Sequence, residues 1–249
     1  AFARSINTVA VRVGERAGRG RVIDTARRLG LAGDFKPTPS LALGVKEVSL
    51  LDLTQAYGPF ANGGVGVWAY GIEEIRDRAG NLLYRRRGSG PGRGVSEVHV
   101  AAMNAMLSGV ITHGTGRASK IGRPQAGKTG TSNDFRDAWF AGFSANHLAV
   151  VWVGRDDNRN AGITGSSGAL PVWAQLMGKL PQRSLSQTPP AGVEWVWMNP
   201  DGRRTSAEGC SDARRYPMLE VSIPQESDGC GKVKETGKGI KGWFKGLFD

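Results

Sequence analysis

Long hydrophobic runs are missing from this chain of 249 residues: no apolar stretch approaches the roughly 20 residues needed to cross a bilayer. Cysteine is scarce. Only Cys210 and Cys230 occur, both in a polar, glycine-rich tail, which suits one disulfide in an oxidising compartment, the alternative being two free surface thiols. The chain has no initiator methionine and no recognisable signal peptide. AFARSINTVAVRV begins with a helical pattern under way, so Ala1 reads as a cut edge with something missing upstream. Internal repeats are lacking, as is any motif that reads DNA or RNA. The balance of 33 Lys and Arg against 22 Asp and Glu, +11 at neutral pH, invites an acidic partner. The arginines are scattered (Arg16, Arg19, Arg21, Arg27, Arg28) or grouped in a turn (Arg85, Arg86, Arg87). A solvated basic face is therefore expected, with attraction to an acidic envelope as the alternative and no nucleic acid as partner.

What is present is enough for one large domain, or one domain with a small appendage. Ile6, Val9, Ala10, Val13 and Ala17 recur at helical spacing, so an amphipathic helix is expected after Asn7. Val22, Ile23, Ala26 and Leu29 make a second, which Gly30 can end. Ser49 is placed to cap a third, with Leu50, Leu53, Tyr57, Phe60 and Ala61 on its apolar side. YGIEEIRDRAGNLLYRRR reads as two short strands about a Gly-Asn turn, and Ser96 caps a further helix. AWFAGFS and LAVVWVG form an antiparallel hairpin buried on both faces, covered by a helix from about Leu170 to Leu180 carrying Trp173, Leu176 and Met177. PQRSLSQTPPAG is a linker by composition.

The stretch Gly122–Asp134, GRPQAGKTGTSND, supports two chemistries. Its first eight residues satisfy the phosphate-loop pattern G-x-x-x-x-G-K-[ST], and it also contains K-T-G, a tripeptide of penicillin-recognising serine enzymes. A phosphate loop needs a buried strand before it and a helix N-terminus after it. THGTGRASKI supplies no strand pattern, and Thr129-Gly130-Thr131-Ser132-Asn133-Asp134 disfavours a helix interior. On a strand, Lys128 would instead stand at a sheet edge facing a cleft. Thr129 would alternate to the other side of the pleat unless the edge is twisted, and Gly130 would admit a substrate backbone.

Such sites carry a second element, S-x-N, and two triplets match it. Ser144-Ala145-Asn146 lies downstream of the lysine at a strand end and reads as chance. Ser5-Ile6-Asn7 lies upstream, where both polar side chains can enter a cleft, the alternative being that they cap the following helix.

With these residues in view, the chain resembles the transpeptidase domain of class A penicillin-binding proteins. SINTVAVRVGERAG, PSLALGVKEVSLLDLTQAYGPFANGG, GVITHGTGRA, GKTGTSNDFRDAWFAGFS and VVWVGRDDN follow one another in the family's order over about residues 1–180. The tail and the closing WFKGLFD are similar to the 1B-type bifunctional enzymes. The resemblance implies an α+β, serine β-lactamase-like fold, partial here, with an antiparallel sheet flanked by helices. It implies a transpeptidase part at 1–182 and a linker with a cysteine-containing tail at 183–249.

The activity so implied is acyl transfer from D-Ala-D-Ala stem peptides of peptidoglycan, with β-lactams acylating the same serine. Carried over, Ser5 relays a proton, Asn7 holds the substrate amide, Lys128 attracts the terminal carboxylate and Thr129 hydrogen-bonds it. Gly130 admits the substrate, and Thr131 offers its backbone N–H to the oxyanion. Gly114, Thr115 and Gly116 border the cleft, and Asp137 ties down a turn. No cofactor or metal is implied. The expected partners are stem peptides, β-lactams and cell-wall synthesis proteins, at the periplasmic face of the bacterial inner membrane. One element of the pattern is missing: no serine here is followed three positions later by lysine. The S-x-x-K nucleophile and base, with a glycosyltransferase domain and membrane anchor, are expected upstream of Ala1, leaving this chain alone without a group to acylate. The other readings are a non-catalytic sensor of penicillin fold and a P-loop nucleotide hydrolase.

Overall fold

The computed structural model describes residues 1–119, 121–122, 125–186, 188–227 and 229. The chain divides into two compact units, Ala1–Gln187 and Thr188–Asp249. In the first, the expected helices form as Asn7–Ala17 (α1), Arg19–Arg28 (α2), Leu50–Ala61 (α3) and Glu97–His113 (α4). Gly30, at φ +93°, closes α2 in a Schellman arrangement: its N–H reaches Arg27 O and that of Leu31 reaches Ala26 O. Ser49 Oγ accepts the Asp52 N–H at 3.0 Å to start α3, and Ser96 Oγ accepts the His99 N–H to start α4. Between α3 and α4 lie Val65–Gly66 (β1), Glu74–Arg76 (β2), Leu82–Arg85 (β3) and Gly92–Arg93 (β4). β2 and β3 pair antiparallel about a turn in which Asp77 accepts hydrogen bonds from Ala79 and Asn81.

The central sheet has three antiparallel strands, Ala126–Thr131 (β5), Asp137–Phe143 (β6) and Leu148–Gly154 (β7), in the order β5-β6-β7. β6 is buried on both faces because its neighbours differ. Phe140 packs edge-on against Trp173 of the covering helix Leu170–Lys179 (α5), ring centres 4.8 Å apart, in a cluster with Ile111, Ala138, Leu170 and Met177. Phe143 joins Leu107, Ala126 and Leu185 against Tyr57 and Phe60 of α3. The Trp173 indole N–H is shared between Gly142 O and Ala149 O, both at 3.1 Å, which fixes the helix to two strands at once. Burying an indole without such a partner would cost about 1–3 kcal/mol.

Some expectations are corrected. β7 is only half-buried, with Trp152 36% exposed, so the hairpin is not covered on both faces along its whole length. Leu176 is 46% exposed and Leu50 45%: both lie beside the buried stripes of their helices rather than within them. α1 forms where its periodicity predicts, yet Ile6, Val9 and Val13 stay exposed and none of its residues is buried. Periodicity states which residues share a face, not what covers that face.

The second unit contains more than a tail. Val193–Met198 (β8) and Arg214–Leu219 (β9) pair antiparallel from Val193 opposite Leu219 to Met198 opposite Arg214. Cys210, in the connection between them, is disulfide-bonded; Cys230 lies outside the described residues.

Candidate active site

Lys128 sits within β5, opposite Ala141 of β6. No α-helix follows it before the next strand: β5 runs to Thr131 and passes through a single 3-10 turn, Asn133–Phe135, into β6. The phosphate-loop reading is thereby overturned, because a strand turns successive N–H groups to alternate sides and cannot gather them around a phosphate.

The Lys128 ammonium donates to Ser5 Oγ at 2.8 Å and to its neighbour's carbonyl, Thr129 O, at 2.9 Å. Ser5 reaches it from a turn preceding α1, in which its N–H bonds to Phe2 O and that of Ile6 to Ala1 O. The Ser5 backbone is left-handed, φ +56°, a conformation that costs a residue with a Cβ about 1–2 kcal/mol. Local backbone strain of this kind collects at functional sites. Capping does not account for the serine, since α1 has no side-chain cap bond at its N-terminus. Asn7 is exposed on the first turn of α1, and no described hydrogen bond joins it to Lys128. Phe2 lies beside the ammonium, its ring centre 5.9 Å from Nζ. Burial pushes the Lys128 ammonium below the ordinary lysine value, and no carboxylate pairs with it among the described residues. A half-buried cation without an anion is a receptor for one.

Thr129, next to Lys128 on β5, is 9% exposed. Its hydroxyl meets that of Thr115 at 2.7 Å. Thr115 follows α4 and donates its backbone N–H to Ala3 O at 3.0 Å, so the contacts close into a ring. β5 touches the Ser5 turn through Lys128 and the Thr115 loop through Thr129, while Ala3 and Thr115 join those two segments directly. Gly114 is confined by the same crossing, since a Cβ there would lie 2.1 Å from Ala3 O; at Gly116 it would be 3.1 Å from Val110 O.

Beyond Gly130, Thr131 is exposed and its Oγ1 accepts the Gly165 N–H at 3.0 Å. Gly165 opens a π-type turn, Gly165–Ala169, ahead of α5, and a Cβ on it would stand 2.5 Å from both Gly130 O and Trp139 O. At Gly130 itself the crowding comes from Trp139, 3.2 Å from a built Cβ. Ser166 Oγ donates to Thr115 O at 2.9 Å. Gly165 and Ser166 belong to no polar motif; their only signal in the sequence is the run of small residues in TGSSGA ahead of an apolar helix. Asp137 secures the hairpin turn. Its carboxylate accepts from Ser132 Oγ at 2.8 Å and from the Trp152 indole at 2.9 Å.

Residues 1–177 match the family described as the penicillin binding protein transpeptidase domain. The chain belongs to that family. Penicillin-binding protein 1B of Haemophilus influenzae is 34% identical over 237 residues, 94% of this chain and 29% of that protein. Penicillin-binding protein 1B of Vibrio cholerae is 35% identical over 254 residues, covering the whole of this chain and 32% of the relative. The crystal structure of penicillin-binding protein 1A from Haemophilus influenzae superposes with a TM-score of 0.79 at 26% identity, over 91% of this chain and 40% of that one. The PonA1 protein of Mycobacterium tuberculosis, solved in complex with penicillin V, shares the fold at a TM-score of 0.57 and 22% identity, over 68% of this chain and 51% of that one. The chain thus spans about a third of the length of these curated relatives. The mixed α+β transpeptidase fold agrees with the small antiparallel sheet and flanking helices described above.

Proposed function

We propose that this chain forms the carboxylate-binding wall of a serine-type D,D-transpeptidase that cross-links peptidoglycan. The observation that carries the reading is the 2.8 Å bond from Lys128 Nζ to Ser5 Oγ, across 123 positions of sequence. Lys128 attracts the C-terminal carboxylate of a D-Ala-D-Ala stem peptide, and the Thr129 hydroxyl donates to it. The ammonium donates to Ser5 Oγ, which leaves the Ser5 O–H proton free to pass towards the leaving nitrogen. Asn7, two residues on, holds the substrate amide, and the Thr131 N–H faces the oxyanion. The Gly114-Thr115-Gly116 loop borders the cleft.

Such a site is completed by an S-x-x-K serine, which none of the 249 residues supplies. The chain by itself is therefore not acylated by β-lactams. In the whole protein it works beside a glycosyltransferase domain and a membrane anchor, at the periplasmic face of the inner membrane among other wall-synthesis proteins. Among the described residues no helix is long and apolar enough to cross a membrane. Residues 1–182 form the transpeptidase part, and 183–249 a linker with an appendage in which Cys210 is disulfide-bonded. Penicillin binding by PonA1, which shares the fold, agrees with the β-lactam reading.

Labelling with a fluorescent penicillin tests the proposal. The 249-residue chain should stay unlabelled, and the same chain joined to its preceding S-x-x-K segment should label covalently. Labelling of the short chain would overturn the missing nucleophile; no labelling of the extended chain would favour a sensor that binds without turnover.

A further inference from the structure

Thr115 and Thr129 form a hydroxyl pair whose two protons are not equivalent. Each hydroxyl carries one proton and two lone pairs, so the 2.7 Å contact consumes one proton and leaves one. If Thr129 donated to Thr115, its lone pairs would face any anion drawn in by Lys128. If Thr115 donates, the Thr129 proton is free and its O–H is polarised by the bond it accepts. From this geometry we infer that Thr115 is a positioning residue for anion recognition: its hydroxyl donates to Thr129 Oγ1 and aims the Thr129 proton at the carboxylate terminus of the peptide. The inference rests on the proposed role of β5 as the carboxylate-binding strand.

Thr115 is held on both sides for this task. Its N–H is anchored on Ala3 O at 3.0 Å, and its carbonyl accepts from Ser166 Oγ at 2.9 Å. The preceding Gly114 lies too close to Ala3 O to carry a side chain. Ser166 is set by the box at the start of the π-type turn, where the Thr164 N–H bonds to Ser167 Oγ and the Ser167 N–H to Thr164 Oγ1. The next link of the same turn, Gly165 N–H to Thr131 Oγ1, grips β5 itself. One short turn therefore holds the Thr115 loop and the Thr129 strand at fixed separation. A hydroxyl pair keeps one proton order only where its oxygens cannot drift apart.

The test compares non-covalent binding of diacetyl-L-lysyl-D-alanyl-D-alanine and its C-terminal carboxamide to the 249-residue chain, followed by NMR shift titration. The wild-type chain should prefer the carboxylate. Thr115→Val should reduce that preference about three- to tenfold, the scale of one hydrogen bond between neutral groups, and Thr115→Ser should restore it. In a Thr129→Val background, Thr115→Val should change the preference no further, because the residue acts through the Thr129 proton. Ser166→Ala, which keeps both hydroxyls but frees the loop, should give an intermediate loss and serves if Thr115→Val does not fold. An unchanged preference in Thr115→Val or in Ser166→Ala, or equal losses for carboxylate and carboxamide, would overturn the inference. A wild-type chain with no preference, and no effect of Lys128→Ala, would instead remove the underlying reading of β5, and the inference with it.

Discussion

Ser5-Ile6-Asn7 and Ser144-Ala145-Asn146 share one pattern and nothing of its use. Ser144 is 1% exposed at the β6–β7 turn, where its hydroxyl donates to Asn146 Oδ1 at 3.1 Å and accepts the His147 N–H. The Asn146 amide donates to Pro181 O at 2.7 Å and its oxygen accepts the Arg183 N–H at 2.8 Å. The Ser144 side chain is spent on the turn itself and that of Asn146 on holding the chain that leaves α5. In the upstream triplet Ser5 is exposed, left-handed, and bonded to a lysine whose charge has no carboxylate partner among the described residues. The same residue types close a turn in one place and open a receptor in the other. The difference is whether the hydrogen-bonding capacity is already consumed.

Lys128→Ala attacks the comparison hardest. In the polypeptide carrying the nucleophile, loss of the charged donor should slow penicillin acylation by about 10- to 150-fold, the equivalent of roughly 1.5–3 kcal/mol, with little change in Tm. Unaltered acylation kinetics would refute the role of the lysine. Next in size is an exchange between the two triplets. Ser5→Ala should slow acylation about tenfold at near-constant stability. Asn146→Ala should lower unfolding stability by about 1 kcal/mol at constant acylation rate. Parallel losses of both quantities in either variant would erase the distinction drawn here.

The smallest effect is the pH dependence. Burial lowers the Lys128 pKa, so its charge is complete on the acid side and disappears as pH rises through the lowered value. Affinity for an anionic peptide terminus should fall across that interval. The unfolded chain keeps its lysine proton to higher pH, so between the two values it binds more protons than the folded one. The contribution of this group to stability therefore rises with pH where affinity falls. Lys128→Ala should flatten both trends, whereas Asn146→Ala should leave them intact, as measured by peptide titration and urea unfolding at several alkaline pH values.

Much of the architecture is legible in the sequence. Ser49 and Ser96 cap the helices they precede, Gly30 closes α2, and AWFAGFS and LAVVWVG pair as the hairpin that α5 covers. These are local choices, made by capping chemistry, positive φ and strand pleat. The site was legible in its polar residues and illegible in its supports. Ser5, Lys128 and Thr129 announce themselves by motif. Gly165 and Ser166 do not, because the importance of a glycine N–H or a serine hydroxyl depends on which strand it touches. Nor did composition reveal β8 and β9, since Val193–Met198 finds its partner across an intervening stretch of turn residues.

By itself the sequence determined the helices α1 to α5 and the strands β2, β3, β6 and β7, and that one lysine stands beside a threonine and a glycine on a strand. Residues within a few positions of one another settle such matters through short-range sterics and hydrogen bonding. Only the tertiary structure decided that Gly165 and Ser166 would support that strand and its neighbouring loop, and that two threonine hydroxyls from different segments are hydrogen-bonded. Contacts between residues far apart in the chain are set by the packing of whole faces, and a short motif carries no record of the surface that will be brought against it.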